Sequence, residues 1–163
     1  ENSNNEKNNS KTTERRNHAQ EVITNDTELG KILAKHKLAG KKIVFTNGFF
    51  DPLTPHHANF LQWARDQGDI LVVGINSDRS VKLNRGPDRP IFVQENRLQI
   101  LKALSCVDYV TVFDEMTPVG IISSLRPDVL VKGITYNEHE VVGGDLVKSY
   151  GGEVRVKQNE NSR

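Results

Sequence analysis

The chain has 163 residues, 36% of them hydrophobic, enough for one core of ordinary size. Its 22 basic against 21 acidic residues leave a net charge of +1, which argues against a nucleic-acid-binding or membrane-surface protein. The single cysteine, Cys106, excludes an internal disulfide and a cysteine-rich zinc site, and no apolar run approaches transmembrane length.

Residues 1–20 are dominated by Asn, Glu, Lys, Ser, Thr and Arg, lack apolar periodicity, and read as a disordered tail or linker ahead of one domain over 21–163. The chain starts at Glu1 rather than Met, so it reads as a trimmed chain or an excised domain, and its expected compartment is the cytoplasm. A short helix is expected from Asp26, capped by Thr24, Asn25 or Asp26, with Leu29, Ile32 and Leu33 as one stripe and Gly40 at its end. Ile43-Val44-Phe45-Thr46 reads as a buried strand that turns at Asn47-Gly48, and 57–66 as the helix after it. A second buried strand spans 70–75, with Asn76-Ser77-Asp78 as its exit loop. The basic stretch 80–89, ending near Gly86-Pro87, reads as a loop or lid. A helix over 94–104 should turn Leu98, Leu101, Ala103 and Leu104 inward, and Cys106 after it reads as a small buried hydrophobe. Then come a strand over 109–113, a helix over 118–125, a strand over 128–132, a helix over 138–150 despite Gly143-Gly144, and a last strand over 153–156. Strands alternating with helices predict a Rossmann-like α/β domain with a five- or six-stranded, mostly parallel sheet. Ligands of such sheets bind beyond the strand C-termini.

The first strand-to-helix passage carries the chemistry. Free backbone N–H groups and the positive end of a helix dipole make an anion site there. Gly48 allows close backbone approach to a ligand. Thr54 and His57, three apart, can face that site together, one as a neutral donor and one as a potential cation. Two adjacent histidines in a loop are by themselves usually only solvated side chains. The combination suits phosphate binding with charge stabilisation at phosphorus.

Gly48-Phe49-Phe50-Asp51-Pro52-Leu53-Thr54-Pro55-His56-His57 resembles the signature of the nucleotidylyltransferase (cytidylyltransferase-like) superfamily, Gly-x-Phe-Asp-x-x-His/Thr-x-Gly-His. Gly48, Phe50, Asp51, Thr54 and His57 match it, whereas His56 stands where that family has Gly. Residues 73–81, Arg85-Gly86-Pro87-Asp88-Arg89-Pro90-Ile91, Arg126-Pro127-Asp128-Val129-Leu130-Val131-Lys132-Gly133 and Gly151-Gly152-Glu153-Val154 are similar to the adenylyltransferase domain of ADP-heptose synthase. That resemblance implies transfer of AMP from ATP to a heptose 1-phosphate with release of pyrophosphate. ATP and the sugar phosphate would be the partners, and Mg²⁺ would arrive with the nucleotide. It admits a homodimer and implies neither nucleic acid nor membrane as a partner.

The roles implied are these. His57 holds phosphates at the helix start, Thr54 donates a neutral hydrogen bond and Lys132 supplies a point charge, the three forming the catalytic set. Asn47, Gly48, Phe49, Phe50, Asp51, Asn76, Asp78, Arg85, Arg89 and Gly133 bind nucleotide or phosphate. Arg85 stands where the family usually has Lys. Asp51 either helps a divalent cation or orients the turn through hydrogen bonds. For Arg85, Arg89 and Arg97 the competing reading is a solvated surface, and Arg97, on a helix, is the weakest phosphate ligand of the three. Two departures point to an impaired or non-catalytic nucleotide-binding relative as the alternative. His56 adds bulk where the backbone should meet the nucleotide. The residues after Val156 read Lys157-Gln158-Asn159-Glu160, without the family's Ser/Thr-rich turn. A pantetheine-phosphate or glycerol-phosphate transferase is a further alternative.

Overall fold

The computed structural model describes residues 21–133 and 140–158. In chain order these form β1 (Glu21–Val22), α1 (Asp26–Leu38), β2 (Ile43–Gly48), α2 (Pro55–Arg65), β3 (Ile70–Asn76), α3 (Asp78–Arg85), α4 (Gln94–Lys102), β4 (Tyr109–Phe113), α5 (Val119–Leu125), β5 (Val129–Lys132), α6 (Gly144–Ser149) and β6 (Glu153–Val156). The strands make one sheet in the order β1-β4-β3-β2-β5-β6. Every pairing is parallel. The α/β class and the parallel sheet are thus as the alternating pattern implies.

Strand alternation sends side chains to two cores. Ile43, Phe45, Val72 and Leu130 meet Leu29 and Leu33 of α1 and Ile121, Ile122 and Leu125 of α5 on one face. Val44, Leu71, Val73, Val129 and Val131 meet Leu61 and Ala64 of α2 and Leu98 and Leu101 of α4 on the other. The chain runs from β2 outward through β3 to β4, then returns to place β5 on the other side of β2. The switch point therefore lies between β2 and β5, and the crevice above it is where an open parallel sheet takes ligands.

Several local expectations are corrected. Asn47 and Gly48 still belong to β2, and Asn76 still belongs to β3. Residues 78–85, expected as loop, form α3, because the Ser77 side chain accepts the Ser80 N–H as an N-cap. Ala103 is exposed and Leu104 half-buried, since α4 ends at Lys102. The helix expected over 138–150 is confined among the described residues to Gly144–Ser149. Gly143 has φ 89° and a Cβ there would sit 2.6 Å from Ile122 Cδ1, so the chain needs glycine and cannot continue a helix through it. Positions 138 and 139, like residues 1–20, lie outside the described residues. Cys106 is only half-buried, and burial raises its thiol pKa. No helix among the described residues is long and apolar enough to cross a membrane.

Candidate active site

A cavity of about 630 Å³ opens above the C-terminal ends of β2, β3 and β5. Of the residues singled out in the sequence, Asn47, Gly48, Phe49, Phe50, Asp51, Thr54, His57, Asn76, Arg85, Arg89, Lys132 and Gly133 all line it. Asp78 does not: its carboxylate is taken by Arg97 at 2.8 Å.

One wall is the start of α2. Thr54 is the N-cap, with extended backbone angles, and Pro55 opens the helix. The Thr54 hydroxyl accepts the His57 N–H at 3.4 Å, and His57 Nδ1 accepts the Thr54 N–H at 3.1 Å. This is a capping box with histidine where Glu or Gln usually stands. An Nδ1 that accepts carries no proton, so the ring's proton is on Nε2. Burial and the neighbouring His56 lower the His57 pKa, which favours the same neutral form. His57 is therefore a neutral donor here, not the cation the sequence suggested. The Phe50 ring packs edge-on against His57 at 5.5 Å. Phe50 itself has φ 50°, an unfavourable angle for a bulky residue, in the tight turn between β2 and α2. Gly48 leaves room chiefly for that ring, since a Cβ at Gly48 would lie 3.0 Å from Phe50 Cε2.

The cation comes from β5. Lys132 is 9% exposed and its Nζ donates to the Asn47 carbonyl at 2.6 Å. Burial brings its pKa down to about 7. Arg85, in the last turn of α3, stacks over the Phe49 ring at 4.7 Å, and the Arg89 side chain stands 42% exposed at the mouth. Among the described residues nothing lies within 4 Å of a Cβ placed on Gly133.

Asp51 orients the turn. Its two carboxylate oxygens accept the N–H groups of Ile91 and Phe92 at 2.7 and 2.6 Å. Those bonds, with the Arg89 guanidinium 3.8 Å from the same carboxylate, are the turn-orienting contacts. Among the described residues no three His, Cys, Asp or Glu side chains converge as a metal site. Arg97 has a related role that the sequence reading missed. Its side chain is fully buried and donates to the carbonyls of Phe92, Phe49 and Asn76 at 2.9, 3.0 and 2.7 Å, besides pairing with Asp78. It ties the signature loop to β3, α3 and the 86–93 segment. Asn84 and Val142 also line the cavity unforeseen, while Met116 and Thr117 line it from the passage after β4, on the edge where such sheets take ligands. For Asn84 the signal was the Ser77 cap, which marks a helix and puts Asn84 next to Arg85 on its last turn. His56 is exposed at the cavity rim, its ring 6.3 Å from that of His57.

Residues 45–151 match the cytidylyltransferase-like family. The chain is 52% identical over 128 residues to the bifunctional protein HldE of Syntrophotalea carbinolica, covering 78% of this chain and 26% of that protein. It is 51% identical over 134 residues to the bifunctional protein HldE of Geobacter sulfurreducens, covering 82% and 27%. The chain thus spans about a quarter of the length of the curated relatives it matches. Among solved structures, a lipopolysaccharide core biosynthesis protein from Thermoplasma volcanium superposes with TM-score 0.60 at 26% identity, over 74% of this chain and all of that one. A pantoate-β-alanine ligase from Francisella tularensis, at 14% identity and TM-score 0.59 over 88% and 69%, shares the fold.

Proposed function

The chain belongs to the cytidylyltransferase-like family, a nucleotidyltransferase-type enzyme domain, and from that premise we propose that it transfers AMP from ATP to a heptose 1-phosphate-type sugar phosphate. A sugar-phosphate oxygen attacks the α-phosphorus. The bond from that phosphorus to the α,β-bridging oxygen breaks, and its electron pair leaves with pyrophosphate. The observation that carries this reading is the convergence of the capped α2 start, with His57, and the buried Lys132 in one cavity at the sheet's switch point. Negative charge builds on the phosphoryl oxygens during the displacement, and catalysis consists of positioning them and balancing that charge. The His57 Nε2–H donates a neutral hydrogen bond, the Thr54 hydroxyl donates to His57 Nδ1 at 2.9 Å and so holds the ring, the α2 N-terminus adds its dipole, and Lys132 adds the point charge. Mg²⁺ would be carried in by the triphosphate, whose oxygens supply most of the ligands such an ion needs. His56 at the rim leaves the cavity open, which favours a working site over an impaired one.

The test is pyrophosphate release from Mg-ATP across a panel of sugar 1-phosphates. Heptose 1-phosphate should support turnover. His57→Ala should lower kcat by about a hundredfold or more while ATP affinity changes only a few-fold, as expected of an interaction that strengthens in the transition state. Equal losses in kcat and affinity, or no pyrophosphate with any sugar phosphate, would remove the reading.

A further inference from the structure

We propose that Asn47 accepts a hydrogen bond from a hydroxyl of the phosphorylated sugar, so that it selects the acceptor rather than binding phosphate. The inference rests on the transferase reading above and narrows it to one subsite.

The Asn47 Oδ1 atom is buried and has no hydrogen-bond partner among the described residues. A buried acceptor left unpaired is destabilising, and such exceptions call for a partner. The residue lines the cavity, so a ligand can supply that partner. The partner must be a donor. Phosphate oxygens at neutral pH are acceptors and would be repelled by an amide oxygen, whereas a hydroxyl satisfies it.

The position of Asn47 says which ligand offers the hydroxyl. Phe45 points to the face that carries α1 and α5, and Asn47, two residues on in the same strand, shares that face. By the same count Lys132 shares it with Leu130 on the neighbouring strand. The α2 helix, whose cap supplies Thr54 and His57, packs on the opposite face through Leu61 and Ala64. The cavity therefore straddles the edge of the sheet. One half is the phosphate-binding start of α2, suited to a triphosphate. The other is bounded by Asn47, Thr117, Val142 and Lys132, three uncharged side chains and one cation. A two-substrate displacement needs a half-site for each reactant with the reacting phosphorus between them. A sugar monophosphate matches the second half, its phosphate near Lys132 and one hydroxyl on Asn47.

The experiment uses calorimetry with heptose 1-phosphate, its monodeoxy analogues, ATP, 2′-deoxy-ATP, 3′-deoxy-ATP and inosine triphosphate, on the wild-type chain and on Asn47→Ala. Thermal melting of both proteins confirms that each is folded. One monodeoxy sugar should bind the wild type about five- to tenfold more weakly than the parent sugar and bind Asn47→Ala no more weakly than the parent does. Asn47→Ser, which keeps an acceptor oxygen, should recover part of the discrimination, and ATP affinity should stay within about twofold throughout. If the vanishing penalty belongs instead to a deoxynucleotide or to the inosine analogue, Asn47 reads the nucleotide and the proposal is overturned. If no penalty changes, the atom holds only water, and the proposal is overturned as well. Sugar binding that depends on Asn47 without pyrophosphate release would sink the proposed reaction and leave the subsite standing. Turnover without that dependence would do the reverse.

Discussion

At the scale of single residues, the sequence shows which groups meet but not their protonation. Thr54, His57 and Lys132 could be placed on one edge because each ends or follows a strand. That His57 is neutral depends on a backbone N–H three residues earlier, and ring tautomers are set by such contacts rather than by residue type. Lys132 is the second case. Its pKa of about 7 lies below the 10.5 of an exposed lysine because the strand end buries it. Between these two values the unfolded chain holds a proton that the folded one has released, so stability rises with pH across that window. Below pH 7 the full penalty of a buried charge is present. Lys132→Met is therefore expected to hold or raise Tm at pH 7, with the advantage over wild type shrinking toward pH 10, while turnover falls at least tenfold. Scanning calorimetry across pH alongside the pyrophosphate assay checks this. A lower Tm at pH 7 would make the ammonium a structural strut instead.

At the scale of elements, the strands were legible and the segments between them less so. Buried strands are runs of Val, Ile, Leu and Phe that have few other uses, which is why β2 to β6 fell close to their expected places. The α3 helix escapes the pattern because its composition is polar and its Gly86-Pro87 end dominates. Only the Ser77 hydroxyl, satisfying an N–H, marks its start. Arg97 is illegible for a related reason: an arginine on a helix is usually solvated, and nothing local shows that three carbonyls from separate segments will surround it. With all four of its partners deprived, Arg97→Met should destabilise the fold by about 3 kcal/mol. Arg97→Lys should recover little of this, because a single ammonium cannot reproduce a planar fork of donors. Urea denaturation of the two variants would decide it. A change under about 0.5 kcal/mol would show that the network is not structural.

Across the whole molecule the two edges of the sheet differ in the charge they carry. Asp69, Asp108 and Asp128 each directly precede a strand and accept the N–H of Lys42, just before β2, of Leu71 in β3 and of Ile43 in β2 respectively. Asp108 is also paired with the buried Arg65 at 3.1 Å. These carboxylates close the N-terminal edge, while Arg85, Arg89 and Lys132 outnumber Asp51 around the cavity at the C-terminal one. A net charge of +1 conceals this separation, which exists only once the strands are parallel and in register. Anionic substrates should therefore be steered to the cavity. Raising ionic strength from about 0.05 to 0.5 M should lower kcat/KM several-fold, mainly through slower association, since the screening length shrinks from over 10 Å to a few ångströms. Stopped-flow association of ATP at several salt concentrations measures it, and a flat profile would contradict the layout.

The grip of Asp51 on the 86–93 segment gives the cavity mouth a reporter of its own. Ile91 and Phe92 are 57% and 38% exposed, yet their amide protons are held by a carboxylate that is 3% exposed. Surface loop amides of this kind ordinarily exchange with deuterium almost at once. These two should exchange as slowly as the mouth opens, and a bound nucleotide should slow them further while leaving exchange in α1 unchanged. Fast exchange at both positions in the ligand-free protein would mean that Asp51 releases them readily, and that the segment carrying Arg89 moves independently of the signature turn.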